Sequence, residues 1–226
     1  MTPLSWPCPS ADGGEHSEYA LAFDRQRQHR VLVIPALLDE ANKLRRFTVE
    51  VMRRLDGAGI DSFLPDLPGC NESTAALTDQ TLERWTGAML AAANHFRANQ
   101  VLAIRGGGLV LPKVIPGWLY APVKGASVLR QMLRARIIAA RELGREETQA
   151  GLLETGAANG LELNGYALSP AMLNELQDGL PEARAGIAPI DQDLLGGSGL
   201  WLRAEPDEDA QQADALAAIL AVSLAA

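Results

Sequence analysis

The sequence predicts an α/β fold in which a mostly parallel sheet carries helices on both faces. Short, continuous runs of apolar and β-branched residues recur along the chain, as is typical of strands that are buried on both sides. Between these runs lie longer segments whose apolar residues repeat at helical spacing. This alternation of strands and helices indicates parallel strands joined by right-handed crossovers.

The individual elements follow from local signals in chain order. Residues 1–28 are rich in Pro, Gly and polar residues, so we expect an irregular N-terminal segment with at most an edge strand at 18–23. Asn164-Gly165 favours a two-residue hairpin turn, and Ser169-Pro170 favours the start of a helix. The remaining predicted elements are a strand at 31–34, a helix from 42 to 57, a strand at 60–66, a helix capped by Thr78 or Asp79, strands at 101–104 and 118–123, a helix at 127–143 capped by Ser127, a hairpin at 161–168, a helix at 170–179, a strand at 199–204 and a helix at 210–224.

Length and composition indicate a globular protein. The chain has 226 residues, of which 47% are hydrophobic and 21% charged, and these values are ordinary for a folded domain. We therefore expect one domain over 1–226, with a helical and hairpin insertion at 125–180. A net charge of −8 disfavours nucleic acid as a partner, because its phosphates would repel an acidic chain.

The cysteines and the apolar segments bear on location. Cys8 and Cys70 have neither the number nor the spacing of a disulfide framework or a metal site, so we expect reduced thiols and no metal or cofactor. The first twenty residues lack a secretory signal pattern, and no apolar stretch reaches the length of a transmembrane segment. These features predict a cytoplasmic protein.

Three loops at the carboxyl ends of the predicted strands carry recognisable motifs, and ligands of parallel sheets bind at that edge. Residues 40–46 read Glu-Ala-Asn-Lys-Leu-Arg-Arg, and residues 64–73 contain a Pro-Asp-x-x-Gly loop that ends in Ser73. The strand at 101–104 is followed by Arg105-Gly106-Gly107.

Together these loops resemble the third, fourth and fifth strand ends of an α/β-hydrolase. More narrowly, 40–46 and 64–73 resemble the second class of hydrolase-like proteins associated with exosortase A systems, which accompany bacterial exopolysaccharide synthesis. The resemblance covers about residues 31–143, and the run at 40–46 is its more specific motif. It implies an α/β-hydrolase-like fold with a reduced cap. The four glycines and two prolines in 106–117 predict a shortened helix after the elbow, which is the turn where a hydrolase holds its nucleophile.

The elbow departs from the pattern of a working hydrolase. Arg105 occupies the position of the attacking serine, and a guanidinium stays protonated without a lone pair to donate. The chain has three histidines, and all of them precede the elbow strand: His16, His29 and His95. None follows the last strand, where this fold places its base. We therefore expect no catalytic triad and assign no catalytic residue.

Two interpretations of Arg105 stay open. It pairs internally with Asp66 or Glu40, or it forms an anion site together with free glycine amides on a tight turn. The candidate ligand-binding residues for the second interpretation are Arg105, Gly106, Gly107, Leu37, Glu40 and Asp66. The expected ligand is a small anion or a carbohydrate intermediate.

The sequence supports three functional hypotheses. The leading one is a catalytically degenerate α/β-hydrolase-like binding or accessory protein linked to exopolysaccharide metabolism. The second is an esterase or thioesterase with Cys70 or Ser73 as an unusual nucleophile. The third is a structural subunit that docks another protein, and the oligomeric state is left open.

Overall fold

A computed structural model describes residues 1–10 and 13–225. The strands of this part of the chain are β1 (Thr2–Pro9), β2 (Glu15–Phe23), β3 (Arg30–Ile34), β4 (Asp61–Pro65), β5 (Gln100–Ile104), β6 (Gly117–Tyr120), β7 (Leu161–Leu163), β8 (Tyr166–Leu168) and β9 (Ile187–Ile190). Its α-helices are α1 (Asp39–Gly57), α2 (Leu82–His95), α3 (Gly125–Glu142), α4 (Gln149–Asn159), α5 (Pro170–Asp178), α6 (Gln192–Leu195) and α7 (Ala210–Ala225).

A seven-stranded sheet has the order β1-β2-β4-β3-β5-β6-β9, and β7 and β8 form a separate hairpin. β1 and β2 pair antiparallel with their neighbours, whereas all pairs from β4 to β9 are parallel. The predicted mostly parallel sheet is confirmed. β3 lies between β4 and β5, so the strand order reverses direction at β3. The carboxyl ends of β3 and β5 are therefore side by side at the point where parallel sheets bind ligands.

Helices cover both faces of this sheet, as predicted. Along β3 the side chains alternate, with Leu32 and Ile34 in one core and Val31 and Val33 in the other. The first core contains residues of α2, α3, α4 and α5. The second contains residues of α1, α6 and α7.

The expectation of an irregular segment at 1–28 is wrong, because β1 and β2 form a long antiparallel hairpin there. The strand expected at 18–23 is part of β2, but it lies between β1 and β4 and not at an edge. Three prolines in β1, at positions 3, 7 and 9, suggested that no strand could form. β1 lies at the edge of the sheet, and an edge strand tolerates prolines because its outer N–H groups need no partner.

One further predicted element is wrong, and two elements were not predicted. Residues 199–204 contain a 3-10 helix at Leu200–Leu202 instead of a strand. The last strand is β9, whose short Ile-Ala-Pro-Ile sequence contains a proline and was missed for that reason. Helix α4 was missed as well, since only Leu152 and Gly156 of its residues are buried and its apolar stripe is thin.

Two predicted helix caps are corrected by the structure. The N-cap of α2 is Thr81, whose side chain accepts a hydrogen bond from the Arg84 amide at 3.1 Å, and not Thr78 or Asp79. Helix α3 begins at Gly125 after Lys124, so Ser127 lies inside its first turn.

Other local signals are confirmed. Asn164 and Gly165 have φ values of 52° and 83° and form the turn between β7 and β8. Ser169 caps α5 by accepting from the Met172 amide at 3.1 Å. The elbow is followed by only a six-residue 3-10 helix, Arg105–Val110, as the glycine-rich segment predicted.

The segment 125–180 holds α3, α4, the β7-β8 hairpin and α5. Across the described residues, none of the helices has both the length and the apolar character that crossing a bilayer requires.

Candidate functional site

The elbow after β5 has the strained backbone of a nucleophile elbow. Arg105 follows the last residue of β5 directly and has a φ of 53°, which is uncommon for a residue other than glycine. Such outliers persist only where the surrounding structure holds them, and they concentrate at functional positions. The backbone therefore keeps the conformation that presents a catalytic side chain in α/β-hydrolases, while the side chain is an arginine.

Arg105 is held by partners from three directions. Its Nε and Nη2 donate to the two carboxylate oxygens of Glu40 at 3.1 and 2.8 Å, a bidentate arrangement. Its Nη1 donates to the Ala121 carbonyl at 3.0 Å, and its guanidinium carbon lies 3.9 Å from the centroid of the Trp201 ring. The side chains of Arg105 and Glu40 are only 11% and 3% exposed. Of the two interpretations left open by the sequence, internal pairing is the one realised, and its partner is Glu40.

The glycines of the elbow allow close packing against the end of β3. A Cβ on Gly107 would lie 2.5 Å from the Pro35 carbonyl oxygen, a contact that only glycine avoids. A Cβ on Gly106 would lie 3.1 Å from Cγ of Leu37, which is fully buried. Gly106, Gly107 and Leu37 thus pack together beside Arg105.

Asp66 serves a different part of the site. Its carboxylate accepts from Arg45 at 2.8 Å and from the Asn71 side chain at 3.0 Å, and its own amide donates to the Tyr19 carbonyl at 2.9 Å. The buried Asp66 therefore fixes the loop after β4, while the ion pair of Arg105 goes to Glu40.

The motif at 40–46 joins the elements around the elbow. Its polar side chains reach the elbow, the β8 strand, the β4 loop and the segment before α7, so α1 connects four parts of the chain. The contacts are Glu40 with Arg105, Asn42 with Tyr166, Lys43 with Asp39, Arg45 with Asp66, and Arg46 with Glu208.

The cleft between the loops after β3 and β4 is nearly filled. The loops after β3 and β4 and the side chain of Tyr166 enclose a cavity of about 10 Å³, which borders Leu38 and Cys70. A cavity of that size has room for one water molecule at most. Tyr166 is held there by a hydrogen bond from the Asn42 side-chain amide at 3.0 Å.

The two alternative nucleophiles are the Cys70 thiol and the Ser73 hydroxyl. Burial of Cys70, aided by the nearby carboxylates of Asp66 and Glu18, raises the pKa of its thiol to about 12, so the reactive thiolate is scarce at neutral pH. The Ser73 hydroxyl accepts from the amides of Gly69 and Ala75 at 2.8 and 3.2 Å. These two amide contacts make the Ser73 oxygen a turn cap. The same hydroxyl donates a hydrogen bond to Glu18 at 2.6 Å.

The histidines lie away from Arg105. His95 is at the end of α2 beside Phe96, with the two ring centroids 4.8 Å apart, and His29 is in the turn before β3. His16 lies in β2, where its Nε2 is 2.7 Å from Glu18. No group of three or more His, Cys, Asp or Glu residues among 1–10 and 13–225 is arranged to hold a metal ion.

Two important residues were missed by sequence reasoning. Trp201 stacks on Arg105 but lies in the segment that was taken for a strand. Glu18 is a buried carboxylate that joins His16 and Ser73, and among the described residues its Oε2 has no hydrogen-bond partner. Glu18 stands directly before the apolar run at 19–23 of β2, and this position was the signal available for it.

No protein-family model matches the sequence, and neither does any curated protein. Solved structures do match it. The structure of DcsB in complex with its substrate analogue is 9% identical, with a TM-score of 0.57 over 100% of both chains. Rv0554 from Mycobacterium tuberculosis is 11% identical, with a TM-score of 0.51 over 83% of this chain and 80% of that one. The α/β hydrolase GrgF from Penicillium sp. sh18 is 16% identical over 66% of this chain and 57% of that one, with a TM-score of 0.43.

At these identities a structural likeness concerns the fold alone. The sheet order, with an antiparallel pair before a parallel series, and the strained residue directly after β5 agree with it. The chain has an α/β-hydrolase-like fold with a shortened helix after the elbow.

Proposed function

We propose that this protein is a catalytically degenerate α/β-hydrolase-like protein that binds a ligand or partner without hydrolysing it. The observation that carries the proposal is the Arg105–Glu40 ion pair at the elbow. A guanidinium cannot attack a carbonyl, and its charge is paired with the buried carboxylate of Glu40 in α1. The nearly filled cleft between the loops after β3 and β4 supports the same conclusion, since it leaves no space for a substrate.

The rival hypothesis of an active esterase or thioesterase has less support. It needs an activated nucleophile, and burial raises the pKa of the Cys70 thiol to about 12, so the attacking thiolate is scarce at neutral pH. The Ser73 hydroxyl donates a hydrogen bond to Glu18, but its oxygen already accepts hydrogen bonds from two backbone amides, which use the lone pairs that would attack a substrate.

The anion-binding elbow remains part of the proposal as a hypothesis for Arg105, Gly106, Gly107, Leu37, Glu40 and Asp66. An anion would have to displace Glu40 from Arg105 or bind Arg105 at the same time as Glu40. Displacement breaks a buried ion pair, which costs roughly 3 to 5 kcal/mol. A ligand that binds at the elbow is therefore expected to bind weakly.

We also propose an accessory role in bacterial exopolysaccharide metabolism, in the cytoplasm. The link to exopolysaccharide rests on the resemblance of the motifs at 40–46 and 64–73, and the location is supported by the two unpaired thiols, Cys8 and Cys70. Deletion of the gene in its host, with exopolysaccharide yield as the measurement, tests the link.

The decisive test of inertness is a hydrolysis screen with aryl esters and acyl thioesters. We expect no turnover by the wild type, and none by Arg105→Ser, because a serine at the elbow still lacks an imidazole to accept its proton. Cys70→Ala and Ser73→Ala are assayed beside Cys8→Ala, a matched control for loss of a buried thiol away from the cleft. Turnover by the wild type that Cys70→Ala or Ser73→Ala removes would establish the rival hypothesis.

A further inference from the structure

A second, open cavity lies at the same edge of the sheet as the elbow, but on the side of β1 and β2. Because Ala20 of β2 pairs with Pro65 at the end of β4, residues 15–19 of β2 extend beyond the carboxyl end of β4. Together with the loop after β4 and the first turns of α2 they enclose a cavity of about 450 Å³. This volume is typical of small-molecule sites, and its position beyond the strand ends is where parallel sheets bind ligands.

The lining of this cavity is polar on several sides and apolar between. Prolines and alanines supply the apolar surface, and one arginine supplies a positive charge. The polar side chains are Ser10, His16, Thr74, Asp79, Gln80 and Arg84. Hydroxyl and amide groups both donate and accept hydrogen bonds, and a carboxylate accepts them, so side chains of these kinds can pair with the hydroxyls of a ligand.

Two of these side chains are already held in place. His16 is anchored by its contact of 2.7 Å with Glu18, whose side chain is completely buried. Arg84 donates from Nη1 to the Asp79 carbonyl. Fixed side chains lose little freedom when a ligand binds, so this cavity is organised for binding before a ligand arrives.

We propose that this cavity binds a sugar acid of monosaccharide size, with Arg84 as the partner of its carboxylate and Ser10, Thr74, Asp79 and Gln80 as partners of its hydroxyls. The proposal rests on the proposed binding function and moves the ligand from the elbow to this cavity. Arginine is suited to the carboxylate because its guanidinium can donate two parallel hydrogen bonds. The alanine and proline surfaces are suited to the C–H faces of a sugar ring.

Gly87 offers a way to block the cavity without disturbing the fold. It lies in α2, borders the cavity, and a Cβ added there would meet no atom within 4 Å. Gly87→Leu would therefore fill the cavity, and leucine favours the helix over glycine. Gly57→Leu is the matched control: it is the last residue of α1, also has nothing within 4 Å of its added Cβ, and lies outside the cavity lining.

The experiment is a titration of the full chain with D-glucuronate and D-galacturonate, in which calorimetry and amide chemical shifts report binding. D-glucose is the uncharged comparison. We expect at least one acid to bind more tightly than glucose, and Gly87→Leu to abolish binding while Gly57→Leu leaves it unchanged. Arg84→Ala should weaken binding of the acid about tenfold and leave that of glucose unchanged, because it removes a charge-assisted contact. Arg130→Ala, at an exposed arginine of α3, serves as its control.

Two results would overturn the proposal. One is an absence of binding by both acids, and the other is binding that Gly87→Leu and Arg84→Ala leave intact. Neither result depends on hydrolysis, so failure of the cavity proposal and failure of catalytic inertness are distinguished. Binding lost in Arg105→Ala but kept in Gly87→Leu would return the ligand to the elbow.

Discussion

Arg105 has a backbone conformation suited to catalysis and a side chain suited to holding the fold together. In a buried ion pair, the attraction between the charges is offset by the loss of hydration, so the pair contributes little net stability. Removal of one partner is nevertheless costly, since the other charge stays buried alone. Arg105 and Glu40 are only 11% and 3% exposed, so this asymmetry applies to them.

We therefore predict that Glu40→Gln lowers the free energy of unfolding by about 3 kcal/mol, because it leaves the Arg105 charge without its carboxylate. Glu50→Gln on the same helix is the control. The partners of Glu50, Arg53 and Arg54, are 52% and 26% exposed, so a loss of less than about 1 kcal/mol is expected. Urea unfolding measures both values.

A double variant separates the ion pair from a general packing effect. Glu40→Leu combined with Arg105→Met should recover most of the stability that Glu40→Gln loses, since neither buried charge remains. Equal losses in Glu40→Gln and Glu50→Gln would contradict the role given to the pair.

Among the elements, α1 and the β7-β8 hairpin decide how open the cleft is. Asn42 of α1 holds Tyr166 of β8 over the small cavity beside Cys70. Burial of Tyr166, strengthened by the nearby Cys70 and Asp39, raises its pKa to about 12, so its hydroxyl is neutral at physiological pH. The contact is a neutral hydrogen bond, and these contribute about 1 kcal/mol.

We predict that Tyr166→Phe increases the rate of amide hydrogen exchange in residues 161–168 by several-fold, because local opening of the hairpin becomes easier. Global stability should change by no more than about 1 kcal/mol. Tyr19→Phe is the control, since the Tyr19 hydroxyl has no hydrogen-bond partner within the part of the chain that the structure describes. Unchanged exchange in the hairpin would show that packing alone holds it.

On the scale of the whole molecule, the two edges of the sheet are closed to further strands. β1 carries prolines at positions 3, 7 and 9, which offer no N–H group. At the other edge, the Ile187 amide already donates to the Arg184 carbonyl at 3.1 Å, and Pro189 has no N–H. This arrangement disfavours association of copies through their sheet edges.

The acidic chain also depends on its arginine-carboxylate pairs, and this dependence predicts loss of stability in acid. Burial acts to raise the pKa of Asp56, but hydrogen bonds from Arg27 and Arg25 outweigh it and hold that pKa below the ordinary value of 3.8. Because the unfolded chain then binds more protons near that pH, stability is present above it and is lost as the pH falls further.

The corresponding measurement is the urea midpoint of unfolding between pH 7 and pH 3. We expect the wild-type midpoint to fall toward pH 3, and Asp56→Asn to begin lower and to fall by less, because it has no carboxylate to protonate. An identical pH profile for the two proteins would show that Asp56 contributes nothing to acid sensitivity.

Local signals in the sequence are sufficient for several elements of this fold. The continuous apolar run of β3, the Asn164-Gly165 turn and the Ser169 cap each carry their own physical cause within a few residues, and all three formed as predicted. The edge strands β1 and β9 were missed, because prolines exclude a central strand but not an edge strand, and the sequence does not say which strands lie at an edge.

By itself, the sequence determined the α/β class, the position of the elbow and the presence of an arginine where a nucleophile would stand, because each depends on residues that are neighbours in the chain. Only the tertiary structure decided that Glu40, 65 residues away, takes the charge of Arg105, and that Trp201 covers it. It also decided that β2 meets the loop after β4 to form an open cavity. Such contacts depend on how distant segments pack, and several carboxylates offered Arg105 equal chemistry until the fold selected one.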